Sequence, residues 1–417
     1  MNKEVFIKNR EKLIKNIEDN SIIILFAGSA PTKAGDEKYE FTPNRNFYYF
    51  TGIDEECHVL LIRKIKGKVQ ETLFIKDIDE EKERWVGRSL RDSEATELSG
   101  IEDIKYISTL NSELNSTFNK FTEISLYLDL KRDDFDSIDR IEDYYSKLIR
   151  DKYPFVIIKN IYNKIVPLRL VKSKEEVYNI RKAIDITISG VKAIMNNLKP
   201  EMKEYESEAF FEFSCKCNGT KDYAFKTIAA TGKNATILHY VDNNSIIKDK
   251  DLILFDLGAQ YNYYNADITR TFPANGKFTH RQKQVYESVL KVNIKVIDTI
   301  KPGVKFLEIN KMAREWVANE CINLGLISKV EEVNKYYWHG IGHSLGLETH
   351  DIDSLDRDTV FSEGMVWTVE PGIYIEEEGI GIRIEDDILV TADGVEVLTK
   401  GMIKTTTEIE EYMKRRW

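Results

Sequence analysis

Residues 251–271 read DLILFDLGAQYNYYNADITRT, and the rest of the chain is best understood outward from them. Leu252 to Phe255 form a strand-like apolar run that Asp256 interrupts. Side chains alternate along a strand, so Asp256 shares a face with Leu252 and Leu254. Asp267 follows in the second half of the stretch. A hairpin turning near Tyr261–Asn262 sets the two aspartates opposite each other, with Cβ atoms about 5 Å apart. Facing carboxylates in apolar surroundings repel, and both lose hydration. Either one carries a proton or a cation sits between them; the bland alternative is a solvated turn aspartate.

Two more acids stand in similar surroundings. Glu370 ends the run Met365-Val-Trp-Thr-Val-Glu370, just before Pro371-Gly372, where the chain is extended and turning. Glu385 lies in Gly381-Ile-Arg-Ile-Glu385 and shares a strand face with Arg383; a surface Arg–Glu pair would also account for those two. His239, His339, His343 and His350 fall in the same strand-rich stretches, three of them within HGIGHSLGLETH (339–350). One neutral imidazole with four carboxylates is a hard, oxygen-rich donor set. It favours manganese or a similar divalent ion over a thiolate-type zinc site. Two such ions side by side activate water for attack on an amide at neutral pH.

Competing motifs fail on context. Gly342-His-Ser-Leu-Gly346 matches the G-x-S-x-G elbow of serine hydrolases, but Leu347-Glu-Thr-His-Asp is a poor helix start. The only histidine after Ser344 is His350, too near to come from a separate loop. H-E-x-x-H is absent, as are a Walker A loop and a dinucleotide-binding glycine pattern; the glycines at 372, 379 and 381 read as turn residues.

At 417 residues the chain predicts two domains. Its 60 basic and 70 acidic side chains leave a net charge of −10, which argues against nucleic-acid or anionic-membrane partners. Cys57, Cys215, Cys217 and Cys321 are too few for a disulfide framework and wrongly spaced for a CxxC element, so they read as buried, unpaired thiols. The charged N-terminus has no apolar signal core, and no apolar run reaches membrane length; a cytoplasmic protein is expected.

The first part alternates strand-like runs (21–27, 47–50, 59–63, 71–75, 104–107, 124–128 and 155–158) with charged helical stretches, as an α/β domain does. Pro167 interrupts the pattern near residues 159–173. Ser173-Lys-Glu-Glu176 then reads as a capping box opening a long helix, with Val177, Ile180, Ile184, Ile188, Val191, Met195 and Leu198 on one stripe. Further helices are expected near 203–217, 280–299 and 305–324, with strand-rich segments at 225–272 and 336–400.

Taken together, FDLGA, ADITRTF, HGIGHSLGLETHD, VEPGIYI and GIRIEDD resemble the motifs of the proline-specific pita-bread metallopeptidases, the aminopeptidase P and prolidase family. FTPNRNFYYFTGIDEE and PLRLVKSKEEVYNIRKA resemble aminopeptidase P in particular. The resemblance implies an α+β protein: a smaller N-terminal α/β domain (1–165) and a C-terminal pita-bread (creatinase/aminopeptidase) domain (166–417). It implies Asp256, Asp267, His343, Glu370 and Glu385 as ligands of two divalent metal ions, manganese first, with cobalt or zinc as alternatives. It further implies His239, His350 and Arg383 flanking the metals, His350 stabilising an oxyanion, and Glu370 doubling as proton shuttle. His339, Tyr374 and Arg383 would shape a proline pocket, and Trp85 would reach a neighbouring subunit's site. Gly342 stands where a small polar residue is common, and Glu348 where Asp is usual.

The implied activity is release of the N-terminal residue from peptides with proline in second position, by a homo-dimer or tetramer. Prolidase, which takes only dipeptides, is the nearest alternative. A non-catalytic relative would lack some of the five ligands, and a methionine aminopeptidase would lack the large N-terminal domain.

Overall fold

The computed structural model describes residues 1–132, 134–352 and 359–415. The chain divides into two compact units, Met1–Leu168 and Arg169–Trp417.

The first unit is built on six strands: β1 (Ser21–Phe26), β2 (Val59–Ile65), β3 (Lys68–Ile75), β4 (Asp103–Tyr106), β5 (Ser125–Leu128) and β6 (Ile157–Asn160). Their order in the sheet is β4-β3-β2-β1-β5-β6. β2 runs antiparallel to both β1 and β3, while the outer pairings are parallel. Ile22, Ile24, Leu61 and Leu126 pack against Leu114, Phe118 and Ile149 of the covering helices. Two expectations fail here. The run Phe47–Phe50 is part of a helix, Arg45–Thr51, because Asn44 Oδ1 accepts from the amides of Asn46 and Phe47 and Gly52 closes the other end at φ 70°. A short apolar run cannot by itself distinguish helix from strand. Pro167 does not break the pattern either; it lies inside the helix Tyr162–Leu170, whose Ile165 and Val166 are buried.

The second unit opens with the helix Lys174–Asn197. Ser173 Oγ accepts from the Glu176 amide at 3.3 Å, and Glu176 Oε2 accepts from the Ser173 amide at 2.8 Å. Helices Glu204–Cys217, His280–Thr299 and Phe306–Asn323 follow. Its longer strands are β7 (Ile228–Thr231), β8 (Leu252–Leu257), β9 (Ile268–Pro273), β10 (Val366–Val369), β11 (Gly372–Ile375), β12 (Ile380–Arg383), β13 (Asp386–Val390) and β14 (Val395–Val397). They form antiparallel sheets in the orders β9-β8-β7, β10-β13-β14 and β11-β12. Helices and antiparallel strands together give the expected α+β class.

The register between β8 and β9 differs from expectation. Asn262 and Tyr263 have φ of 48° and 66°, so both central turn residues are left-handed and the hairpin turns there, one residue later than expected. That moves the pairing by two residues. Asp256 faces Thr269, and Asp267 lies diagonally across from Asp256 on the same face. Gly372 and Gly381 are strand residues, paired with Arg383 and Tyr374; only Gly379, at φ 62°, turns the chain. Among the cysteines, all free, Cys215 and Cys321 are buried while Cys57 and Cys217 are exposed. Two residues along a helix turn the side chain by about 200°, so Cys215 and Cys217 cannot share a face.

Candidate metal centre

Five side chains converge in the second unit. Asp256 comes from β8 and Asp267 immediately precedes β9. The Glu385 amide donates to Thr269 O at 3.1 Å, which docks the β12–β13 junction against β9. Residues 341–345 run antiparallel beside β10: Leu345 N donates to Val366 O (3.1 Å), Thr368 N to His343 O (2.9 Å) and Glu370 N to Ile341 O (2.9 Å). This places His343 and Glu370 on adjacent segments. The approach is so close that a Cβ on Gly342 would lie 2.0 Å from Thr368 O, which explains the glycine at a position where a polar residue was expected.

His343 Nε2 lies 3.4 Å from Asp267 Oδ2 and 3.7 Å from Glu370 Oε1. Donor atoms of Asp267, His343 and Glu385 lie within 4.8 Å of one another. The two His343 separations are long for direct hydrogen bonds and would suit donors to a cation. His343 Nδ1 faces Ser344 O at 3.1 Å, which leaves Nε2 unprotonated toward the acids. Asp256 Oδ1 and Asp267 Oδ1 are buried without a hydrogen-bond partner. A carboxylate oxygen in that state calls for a cation, so the residues fit a metal.

The electrostatics agree. Burial, then the charges of Glu385 and Asp256, hold the Asp267 carboxyl well above the usual carboxylate range. Burial and Glu385 do the same for Glu370, while burial and Asp256 raise Glu385 to about 7. Burial pushes His343 down to about 4, so its imidazole is neutral at physiological pH.

Beside this cluster Arg383 Nη2 meets Asp256 Oδ2, Nη1 donates to the Tyr374 hydroxyl (3.1 Å) and Nε to Thr269 Oγ1 (3.1 Å). Arg383 is therefore a buried partner of Asp256 and not half of a surface pair with Glu385. Tyr374 in turn faces His339 Nε2 at 2.8 Å, and His339 Nδ1 faces Gly340 O at 2.7 Å. Burial, then Arg383, drives the His339 imidazole down to about 3. The His350 ring lies 4.2 Å from that of His343. His239 is exposed, yet near enough to depress the pKa of both His339 and His350. Trp85 alone belongs to the first unit, on the helix Glu80–Val86, with 85% of its surface exposed.

Three contributors escaped the sequence reading. Thr269 Oγ1 donates to Glu385 Oε2 at 2.7 Å; its place two residues after Asp267 on a strand was the available signal. Asp387, fully buried, accepts from the Asp267 amide at 3.2 Å. Trp338 lies with its ring 5.2 Å from Tyr374. The serine reading ends here: Ser344 is 1% exposed and its Oγ donates toward the carbonyls of Asp351 (2.9 Å) and Ile352 (3.0 Å), and residues 345–352 form no helix.

Comparison with known proteins places this geometry. The family model of metallopeptidase family M24 matches residues 178–392, and that of the aminopeptidase P N-terminal domain matches 6–127. The chain belongs to metallopeptidase family M24. Xaa-Pro aminopeptidase of Escherichia coli K12 is 31% identical to this M24 chain over 437 aligned positions, covering 99% of it and 98% of the relative. A putative aminopeptidase P from Bacillus anthracis superposes with a TM-score of 0.98 at 47% identity, covering 100% of this chain and 99% of the other. Zinc-substituted E. coli aminopeptidase P in complex with product superposes at 0.92 with 30% identity, again over 100% and 99%. The pita-bread fold and the aminopeptidase P-type N-terminal domain expected for an M24 peptidase of this kind are both present. Among the described residues no helix is long and apolar enough to cross a membrane.

Proposed function

We propose that this M24 metallopeptidase is an Xaa-Pro aminopeptidase, releasing the first residue from peptides with proline in second position. The observation that carries the reading is the grouping of Asp267, His343 and Glu385, with Glu370 beside His343 and the charge of Asp256 acting on Asp267, inside a chain that matches aminopeptidase P relatives over its whole length. Residues 166–417 are the catalytic domain and 1–165 the aminopeptidase P-like domain.

The five residues would hold two divalent ions, with manganese the first choice because four of the five are carboxylates. When bound, the ions supply a water acidified for attack and polarise the scissile carbonyl. Glu370 would take a proton from the attacking water and pass it to the leaving proline nitrogen. His350 donates to the carbonyl oxygen as negative charge develops there, with His239 lining the approach. Arg383 orients Asp256. His339, Tyr374 and Arg383 form a hydrogen-bonded row that walls the proline pocket. Exposed Trp85 is suited to completing the site of a second copy in a dimer or tetramer. Four unpaired cysteines suit a reducing, cytoplasmic setting.

The test is release of arginine from an Arg-Pro-Pro tripeptide with manganese and with a chelator. Manganese-dependent cleavage of the first bond supports the aminopeptidase. Cleavage of an Xaa-Pro dipeptide alone moves the assignment to prolidase, and silence on both substrates overturns it.

A further inference from the structure

Asn293 lies on the helix His280–Thr299 and is fully buried. Its Nδ2 donates to the carbonyl of Val369 at 3.1 Å and to that of Ile384 at 3.2 Å. Those residues immediately precede Glu370 and Glu385, so one side-chain amide ties together the two segments that carry the glutamates.

The neighbouring backbone shows why a side chain is needed there. β10 pairs with β13 through Val369 and Asp386, and β11 pairs with β12 through Gly372 and Arg383, in one continuous register. Residues 371 and 384 therefore face each other at the join. Ile384 N donates to Pro371 O at 3.3 Å, but a proline has no N–H to return to Ile384 O. The Asn293 amide supplies that missing donor.

The orientation of the amide is determined by its other partner. Lys404 Nζ donates to Asn293 Oδ1 at 3.2 Å and to Asp386 Oδ2 at 2.8 Å. An ammonium group has only donors, and a carbonyl only accepts. A reversed amide would set its oxygen against two carbonyls and its NH2 against Lys404, so the orientation shown is the only satisfied one.

We propose that Asn293 is a positioning residue for the metal centre: it replaces the ladder bond that Pro371 cannot make, and so holds Glu370 and Glu385 at the separation the ions require. The inference rests on the reading of those glutamates as metal ligands.

The experiment is isothermal titration of manganese into metal-stripped full-length protein carrying Asn293→Asp, Asn293→Leu, Glu385→Gln or Val289→Ala. Asn293→Asp preserves the side-chain volume and removes the donors. Val289→Ala opens a cavity on the same helix without involving either carbonyl, and controls for lost stability. Both Asn293 variants are expected to bind manganese roughly 10–100-fold more weakly, as loss of a residue supporting a ligand typically does, with Val289→Ala close to wild type. Should Asn293→Leu fail to fold, Asn293→Asp decides. Wild-type affinity in the Asn293 variants alongside loss of binding in Glu385→Gln would overturn the positioning role alone. Equal weakening in Val289→Ala would reduce the effect to general destabilisation and overturn it too. Undiminished binding in Glu385→Gln would remove the ligand reading itself, and the proposal with it.

Discussion

Arg383 Nη2 lies 2.5 Å from Asp256 Oδ2, and the same guanidinium reaches Tyr374 and Thr269 through its other nitrogens. One planar cation thus orients a carboxylate of the cluster, a hydroxyl of the pocket wall and the threonine that bonds Glu385. A lysine carries the charge but cannot present three donors in a fixed fork. Arg383→Lys is expected to lose on the order of 10²-fold in kcat/KM. Loss of the buried contacts should also cost about 3 kcal/mol of stability. Steady-state kinetics and urea unfolding of the same preparation check both, and unchanged kcat/KM would remove Arg383 from the mechanism.

Metal removal should be visible without any substrate. Stripping the ions leaves Asp256, Asp267, Glu370 and Glu385 to repel one another in a buried site. Manganese at about 100 times its Kd adds about 2.7 kcal/mol to stability, or roughly 5–10 °C in the melting temperature of a domain this size. Chelated and manganese-loaded samples melting together would argue against a shared site.

Ser344 offers a discriminating control. Its hydroxyl serves the carbonyls of Asp351 and Ile352, so Ser344→Ala should cost about 1–2 kcal/mol of stability and leave kcat nearly intact. A loss of several thousand-fold, as expected for a nucleophile, would revive the serine hydrolase reading.

Glu142 in the first unit gives the pH dependence. Only 3% exposed, it is raised by burial to about 7 from an ordinary 4.5, against the lowering effect of its own amide and Arg140. A raised carboxyl favours the folded state below the unfolded pKa, and that advantage disappears as pH rises through the folded one. Wild-type protein should thus lose up to about 3 kcal/mol between pH 4.5 and 8 through this group, and Glu142→Gln should not. Urea unfolding at pH 5 and pH 8 compares them; equal pH slopes would mean that Glu142 is ionised in the folded protein.

Much of the candidate site was legible because its chemistry is local. Acids within the apolar runs around Asp256 and Glu370, and glycines about His343, stand out in any window of a few residues. The helix starting at Ser173 was legible for the same reason, since both partners of its capping box lie within four residues. The helix Arg45–Thr51 was not: its aromatic run suits either structure, and the Asn44 cap settles the matter only once the chain is seen to turn there.

The sequence by itself determined which acids and histidines stand in apolar strand and turn contexts, in what order, and where most of the helices begin, because side-chain chemistry and caps act over a single turn. Only the tertiary structure decided how they meet. The left-handed pair Asn262–Tyr263 shifts Asp256 from opposite Asp267 to opposite Thr269. Thr269 finds Glu385 across 116 positions of chain, and Asn293 finds Ile384 across 91. Such contacts have no local signal: closing loops of that length costs entropy that is offset only when the whole core packs, so the partners are chosen by the fold and not by their neighbours in sequence.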